Sequence, residues 1–139
     1  MSILGNRVAR VEDRRFLTVG GSYVGDLHQA GQVHAAFVRS TLPHARIVGI
    51  DVDEARAAPG VLGVFTAEDL DLPDVTPDAM LNQAMTWPPL ARDVVRFVGQ
   101  AVVAIVAETP ALAVDAAELV VVDYDPLDPV PTPRAGLEA

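Results

Sequence analysis

The sequence predicts an α/β fold built on a mixed, partly parallel sheet with two short strand–helix–strand units. Three observations predict it. Two stretches, residues 45–70 and 101–124, each run apolar strand, capped short helix, apolar strand. The helical segments are rich in alanine, which lets a helix lie close to a sheet. Half of the residues are hydrophobic in a chain of 139, enough for one domain with a core and too short for two ordinary ones.

The elements follow in order. Residues 1–30 read as an extended N-terminal segment with turns, Gly20-Gly21 supplying backbone free to adopt positive φ between Leu17 and Tyr23-Val24. The main domain spans residues 31–127. Val33 to Arg39 reads as a strand, and Pro43 separates it from a second strand, Ala45 to Val52. In the first unit Asp53 is the expected helix N-cap, Glu54–Ala58 the helix and Pro59-Gly60 its stop. Strand Val61–Phe65 then leads to Thr66, a second expected cap, before Ala67 to Leu70. In the second unit, strand Ala101–Ala107 precedes Thr109 as N-cap with Pro110 at the first helical position. The helix Pro110–Glu118 sets Leu112, Ala113, Ala116 and Ala117 on one stripe. Strand Leu119–Tyr124 closes the unit. Both strands of this copy are nearly unbroken apolar runs, as expected for strands covered on both faces, and the short crossovers imply parallel pairing.

Residues 71–89 form an irregular loop with Pro73, Pro77, Pro88 and Pro89, yet Met80, Leu81, Met85 and Trp87 on it are large and apolar. A loop of that length without its own secondary structure is uncommon unless it is functional or covered. Residues 128–139 read as a linker-like tail.

Composition narrows the function. The net charge of −9 argues against nucleic acid. No apolar run approaches the roughly 20 residues that cross a bilayer, so no membrane is expected. The chain has no cysteine, which excludes disulfides and thiolate ligation of iron–sulfur clusters or zinc on it. Cytoplasmic residence is the expectation. Arg14-Arg15-Phe16-Leu17 resembles a twin-arginine export signal, but the polar, glycine-rich stretch from Thr18 to Gln29 cannot be its apolar region. All ten basic residues are arginine, and Arg7, Arg10, Arg14 and Arg15 lie within the first fifteen positions. Arginine forms planar, bidentate pairs with carboxylates, so this segment suits interdomain docking as well as a plain solvated surface.

No familiar catalytic constellation stands out. There is no Walker loop, and Ser2, Ser22 and Ser40 lack a nucleophile-elbow context. His28, His34 and His44 are scattered at no metal-ligand spacing. Asp123, Asp125 and Asp128 alternate as in a calcium loop, but the central glycine and closing glutamate are missing. No catalytic, cofactor-binding or metal-binding residue is therefore assigned.

Several motifs in order carry a resemblance. They are Arg10-Val-Glu-Asp-Arg-Arg-Phe-Leu-Thr18 with Gly21-Ser-Tyr-Val-Gly-Asp-Leu27, Val33-His-Ala-Ala-Phe-Val-Arg-Ser40 with His44-Ala-Arg-Ile47, Pro59-Gly-Val61, and Thr66-Ala-Glu-Asp-Leu70. The strongest is Pro89-Leu-Ala-Arg-Asp-Val-Val-Arg-Phe-Val-Gly-Gln100, followed later by Val122-Asp-Tyr-Asp-Pro-Leu127. Together they resemble the N-terminal α/β hammerhead domain of xanthine dehydrogenase/aldehyde oxidase-type (molybdenum hydroxylase) large subunits, closest to bacterial carbon-monoxide-dehydrogenase-like members. The chain departs from the family at two turns, with Gly25-Asp26 for Asp-Asp and Thr18-Val-Gly-Gly21 for Thr-Gly-x-Gly.

The resemblance implies an oxidoreductase that oxidises an aldehyde, an N-heterocycle or a related substrate with water as the oxygen source. It places molybdopterin, [2Fe-2S] clusters and FAD in other domains or subunits, none on this chain. The partners it implies are a molybdopterin-binding domain or subunit, an iron–sulfur subunit and an FAD subunit. Homo-oligomers through an exposed interdomain surface are a further expectation. In relatives the loop before Pro-Leu-Ala-x-Asp helps line the funnel to molybdenum, so Leu81, Met85 and Trp87 either line substrate access or settle on the domain's own sheet. The chain alone is expected to be inactive. It reads as a truncated or separately made part of a large subunit; the alternative is a stand-alone protein-interaction module that keeps the fold without redox activity.

Overall fold

The structure is a computed structural model that describes Gly5, residues 10–80 and residues 82–138. The chain divides into two compact units, residues 1–32 and 33–139. In the first, a 3-10 turn (Val24–Asp26) falls where extended chain and turns were expected, and helix α1 (Asp13–Thr18) stands in the same stretch. Local bonds explain both: the Thr18 hydroxyl donates to the Arg14 carbonyl at 2.7 Å, and the Asp26 carboxylate accepts the Tyr23 N–H at 2.9 Å. Such side-chain bonds to nearby backbone let a short segment turn without help from distant packing.

The second unit holds strands β1 (His34–Arg39), β2 (Ala45–Asp51), β3 (Val61–Phe65), β4 (Val94–Val95), β5 (Ala101–Ala107) and β6 (Val121–Pro126). Helices α2 (Asp53–Ala57), α3 (Pro110–Glu118) and α4 (Pro133–Glu138) complete it. The strands form two three-stranded sheets, ordered β1-β5-β3 and β4-β2-β6.

The α/β class holds and both strand–helix–strand units exist, but the expected parallel pairing does not: among the described residues every strand pair is antiparallel. Each unit starts in one sheet and ends in the other. The first runs from β2 through α2 to β3, and the second returns from β5 through α3 to β6. The halves then pair reciprocally, β2 with β6 and β3 with β5. Two causes are visible. Residues 52–60, which join β2 to β3, fall short of the dozen or so residues that a parallel crossover requires. And β5 already has β1 and β3 on its two edges, so β6 has no place beside it.

Burial follows from these positions. Central β5 carries Val102, Val103, Ile105 and Ala107 at 0% exposure, as its apolar run predicts. Strand β6 lies at a sheet edge and alternates exposed with half-buried residues, so it is not covered on both faces as expected. One apolar core joins both sheets with α2 and α3, through Ala45, Ala55, Val64, Val95, Ile105 and Ala116 among others. Ala113 and Ala116 let α3 lie closely on β1 and β5. Gly60, at φ +73, turns the chain from α2 into β3 where a Cβ would come within 2.5 Å of the Leu112 side chain.

The caps sort into kept and altered. Thr109 caps α3 as expected, its hydroxyl accepting the Leu112 N–H at 3.2 Å. Asp53 is instead the first residue of α2, and the Asp51 carboxylate accepts its N–H at 3.1 Å. Thr66 opens a turn rather than a helix, because the Asp69 carboxylate captures both the Thr66 N–H at 2.7 Å and its hydroxyl at 2.8 Å. The linker-like tail also holds a helix: the Thr132 hydroxyl accepts the Ala135 N–H at 3.2 Å and starts α4.

Candidate functional site

The irregular stretch between β3 and β4 leaves several large apolar side chains exposed, Met80, Met85 and Trp87 among them. Two backbone hydrogen bonds close it into a loop, Val75 N–H to the Trp87 carbonyl at 2.8 Å and Trp87 N–H to the Val75 carbonyl at 3.2 Å. Within that closure the backbone is braced by short polar side chains. The Asp78 carboxylate accepts the Met80 N–H at 3.1 Å, and the Asn82 amide oxygen accepts the Ala84 N–H at 3.0 Å. The Gln83 amide donates to the Asp78 carbonyl at 3.1 Å. At the base, the Arg92 guanidinium donates to the Leu72 carbonyl at 3.3 Å and stands 3.9 Å from the Asp74 carboxylate.

A loop ordered by its own hydrogen bonds can hold apolar groups in water. Met80 is 94% exposed, Met85 58% and Trp87 39%. Two of the three residues expected to line substrate access, Met85 and Trp87, therefore stand out from the domain's core. The third, Leu81, lies outside the described residues.

The arginines belong to the first unit. Arg14 and Arg15 lie on α1 and Arg10 just before it; all three are exposed. The Arg15 guanidinium sits over the ring of its neighbour Phe16, 5.8 Å from the centroid. Among the described residues none of the three makes an ion pair. Arg7 lies outside the described residues.

The remaining candidates take structural places. Ser40 is buried and bonds the Leu42 backbone in both directions, accepting at 3.1 Å and donating at 2.8 Å. The His44 ring lies 2.8 Å from the Asp128 carbonyl and ties the tail to the start of β2. Asp123 and Asp125 stand on β6 opposite Gly49 and Arg46 of β2. Among the described residues no group of three or more His, Asp or Glu could hold a metal ion. Without cysteine the chain cannot give thiolates to an iron–sulfur cluster either. The donor set here does not fit the redox groups that the resemblance implies, so no reaction step is derived on these residues. No helix among the described residues is long and apolar enough to cross a membrane.

Sequence reasoning missed the loop's braces. Asp78 and Asn82 each accept the N–H two residues on, a turn that short polar side chains readily form and that could have been read. The Arg92 anchor, twenty residues from Leu72, left no such local signal.

Residues 18–128 match the family described as "Aldehyde oxidase and xanthine dehydrogenase, a/b hammerhead domain". The chain belongs to this family. As a hammerhead domain it is 43% identical to the nicotine 6-hydroxylase large subunit of Paenarthrobacter nicotinovorans, over 99% of the chain and 17% of that protein. It is 40% identical to the carbon monoxide dehydrogenase large chain of Afipia carboxidovorans, over 97% of the chain and 17% of that protein. The crystal structure of quinoline 2-oxidoreductase from Pseudomonas putida 86 superposes with a TM-score of 0.83 at 42% identity, covering 94% of the hammerhead chain and 17% of the other. The chain thus spans less than a fifth of these relatives, two of which are named as a large subunit and a large chain.

Proposed function

We propose that this hammerhead domain serves as scaffold and substrate-access wall in the large subunit of a molybdopterin-dependent hydroxylase or dehydrogenase. The observation that carries the reading is the closed, self-braced loop that holds Met85 and Trp87 out in solvent. An apolar side chain left exposed by a rigid loop is suited to meet something supplied from outside the domain. In the complete subunit that is the approaching substrate, an aldehyde, an N-heterocycle or a related small molecule. Relatives named for nicotine, quinoline and carbon monoxide support that range. Oxidation with water as the oxygen source would be carried by molybdopterin, iron–sulfur and FAD groups held in other domains or subunits.

Arg10, Arg14 and Arg15 support the scaffold half of the reading. They are exposed and unpaired among the described residues, and their planar guanidinium groups are suited to carboxylates of the molybdopterin-binding or iron–sulfur partner. The surface also favours a subunit part over a self-contained interaction module. Phe37, Val48, Leu62, Met80, Phe97, Val98 and Val114 are all more than 45% exposed, and a module evolved to stand alone would keep such groups few.

The test is Trp87→Ala in the full large subunit that carries this domain. A changed KM or substrate preference with kcat largely kept is the expected result. An unchanged KM and preference would remove the access-wall role.

A further inference from the structure

The β1-β5-β3 sheet has two unlike faces. In its inner rung, Ala36–Ile105–Val64, Ile105 and Val64 join the core with Ala55 and Ala116 of the helices. The two alternate rungs are Ala35–Val106–Gly63 and Phe37–Ala104–Phe65, and they point the other way. Every one of these six residues is apolar, and Phe37 is 46% exposed.

Both rings are held in place. The Arg39 guanidinium lies 5.6 Å from the centroid of Phe37 while donating to the Gly99 carbonyl at 2.8 Å. The Phe65 ring lies so close over Gly63 that a Cβ there would come within 2.7 Å of it. The result is a shallow apolar floor of small side chains between two pinned aromatic rings. Preordered rings lose little rotamer freedom on association, so such a face is suited to permanent burial.

We infer that this outer face of the β1-β5-β3 sheet is the seat of the remaining polypeptide of the large subunit. The inference rests on the reading of the chain as part of such a subunit. Length favours that occupant: the chain accounts for 17% of the nicotine 6-hydroxylase large subunit, so most of that relative's mass lies outside the matched region. A contiguous apolar sheet face is rarely left to water in a finished assembly.

The chain contains no cysteine, so Ala35→Cys and Phe37→Cys each place a single thiol on the face. Val48→Cys, 70% exposed on the other sheet, reports that the chain is folded and labelling works. The tagged chain is produced alone and together with the nicotine 6-hydroxylase large subunit lacking its matching region. Both face thiols should react with maleimide in the chain alone and slow by roughly tenfold or more in the co-purified complex. A complex that forms with positions 35 and 37 still reactive overturns the face and leaves the subunit reading standing. Failure of the wild-type chain to form a complex overturns both. Face thiols already protected in the chain alone, whether by its own residues or by a second copy, overturn the face.

Discussion

Strand β5 and the loop between Val75 and Trp87 use the same kind of residue to opposite ends. In β5 Val102, Val103, Ile105 and Ala107 are at zero exposure, and the strand's core side chains tie both sheets to α3. In the loop, Met80, Met85 and Trp87 are held outward by hydrogen bonds of the backbone and of polar side chains. The difference shows that hydrophobic content alone does not report a core. What decides is whether the backbone is positioned by apolar packing, as in β5, or independently of it, as in the loop. Only the second arrangement leaves apolar groups free to act on something else.

The sharpest way to break that contrast is to shorten one residue in each region. Ile105→Ala removes a fully buried side chain from the centre of the core and should destabilise the domain by about 2–5 kcal/mol in denaturant unfolding. Met80→Ala, at 94% exposure, should change stability by no more than about 0.5 kcal/mol. A loss at Met80 comparable to that at Ile105 would mean that the loop is part of the core after all.

A smaller effect is expected where β5 hands over to α3. Thr109→Ala leaves the Leu112 N–H without its side-chain acceptor and should cost about 1 kcal/mol, with Thr109→Ser nearly neutral. Thermal unfolding of the two variants separates a capping loss, which serine repairs, from a packing loss, which it does not.

The same contrast explains what could be read in the sequence. The limits of β3, β5 and α3 coincide with those predicted, because an apolar run, a Thr-Pro cap and a Pro-Gly stop are local signals that packing reinforced. The sheet partners were not legible. Pairing depends on which edges are already occupied, and β1 and β3 taking both sides of β5 is a fact about segments some forty residues or more away in sequence. Helix α4 could have been foreseen, since Thr132-Pro133 repeats the Thr109-Pro110 signature. In the loop, the lack of periodicity together with large apolar residues marked it as unusual. Its closure through Val75 and Trp87 involves only backbone groups, which no side-chain pattern can announce.

The smallest effect lies at the boundary between the two regions, in the turn that leaves β3. Hydrogen bonds from the Thr66 N–H and hydroxyl favour the ionised Asp69 carboxylate and hold its pKa below the ordinary 3.8, with the Arg56 guanidinium at 3.4 Å adding to them. A pKa lowered by folding means that the unfolded chain binds the proton more readily, so stability rises with pH through this range. The contribution is complete above 3.8 and is lost as the pH falls below it, through the folded value. Because both partners are more than a third exposed, solvent screening keeps it to about 0.5 kcal/mol. Asp69→Asn keeps an acceptor for Thr66 but no charge, so it should be slightly less stable than wild type at neutral pH and equal to it in acid. Urea unfolding at the two extremes measures this. A gap that persists in acid would mean that shape, not charge, holds the turn, and that the loop's starting point is set by packing in the same manner as β5.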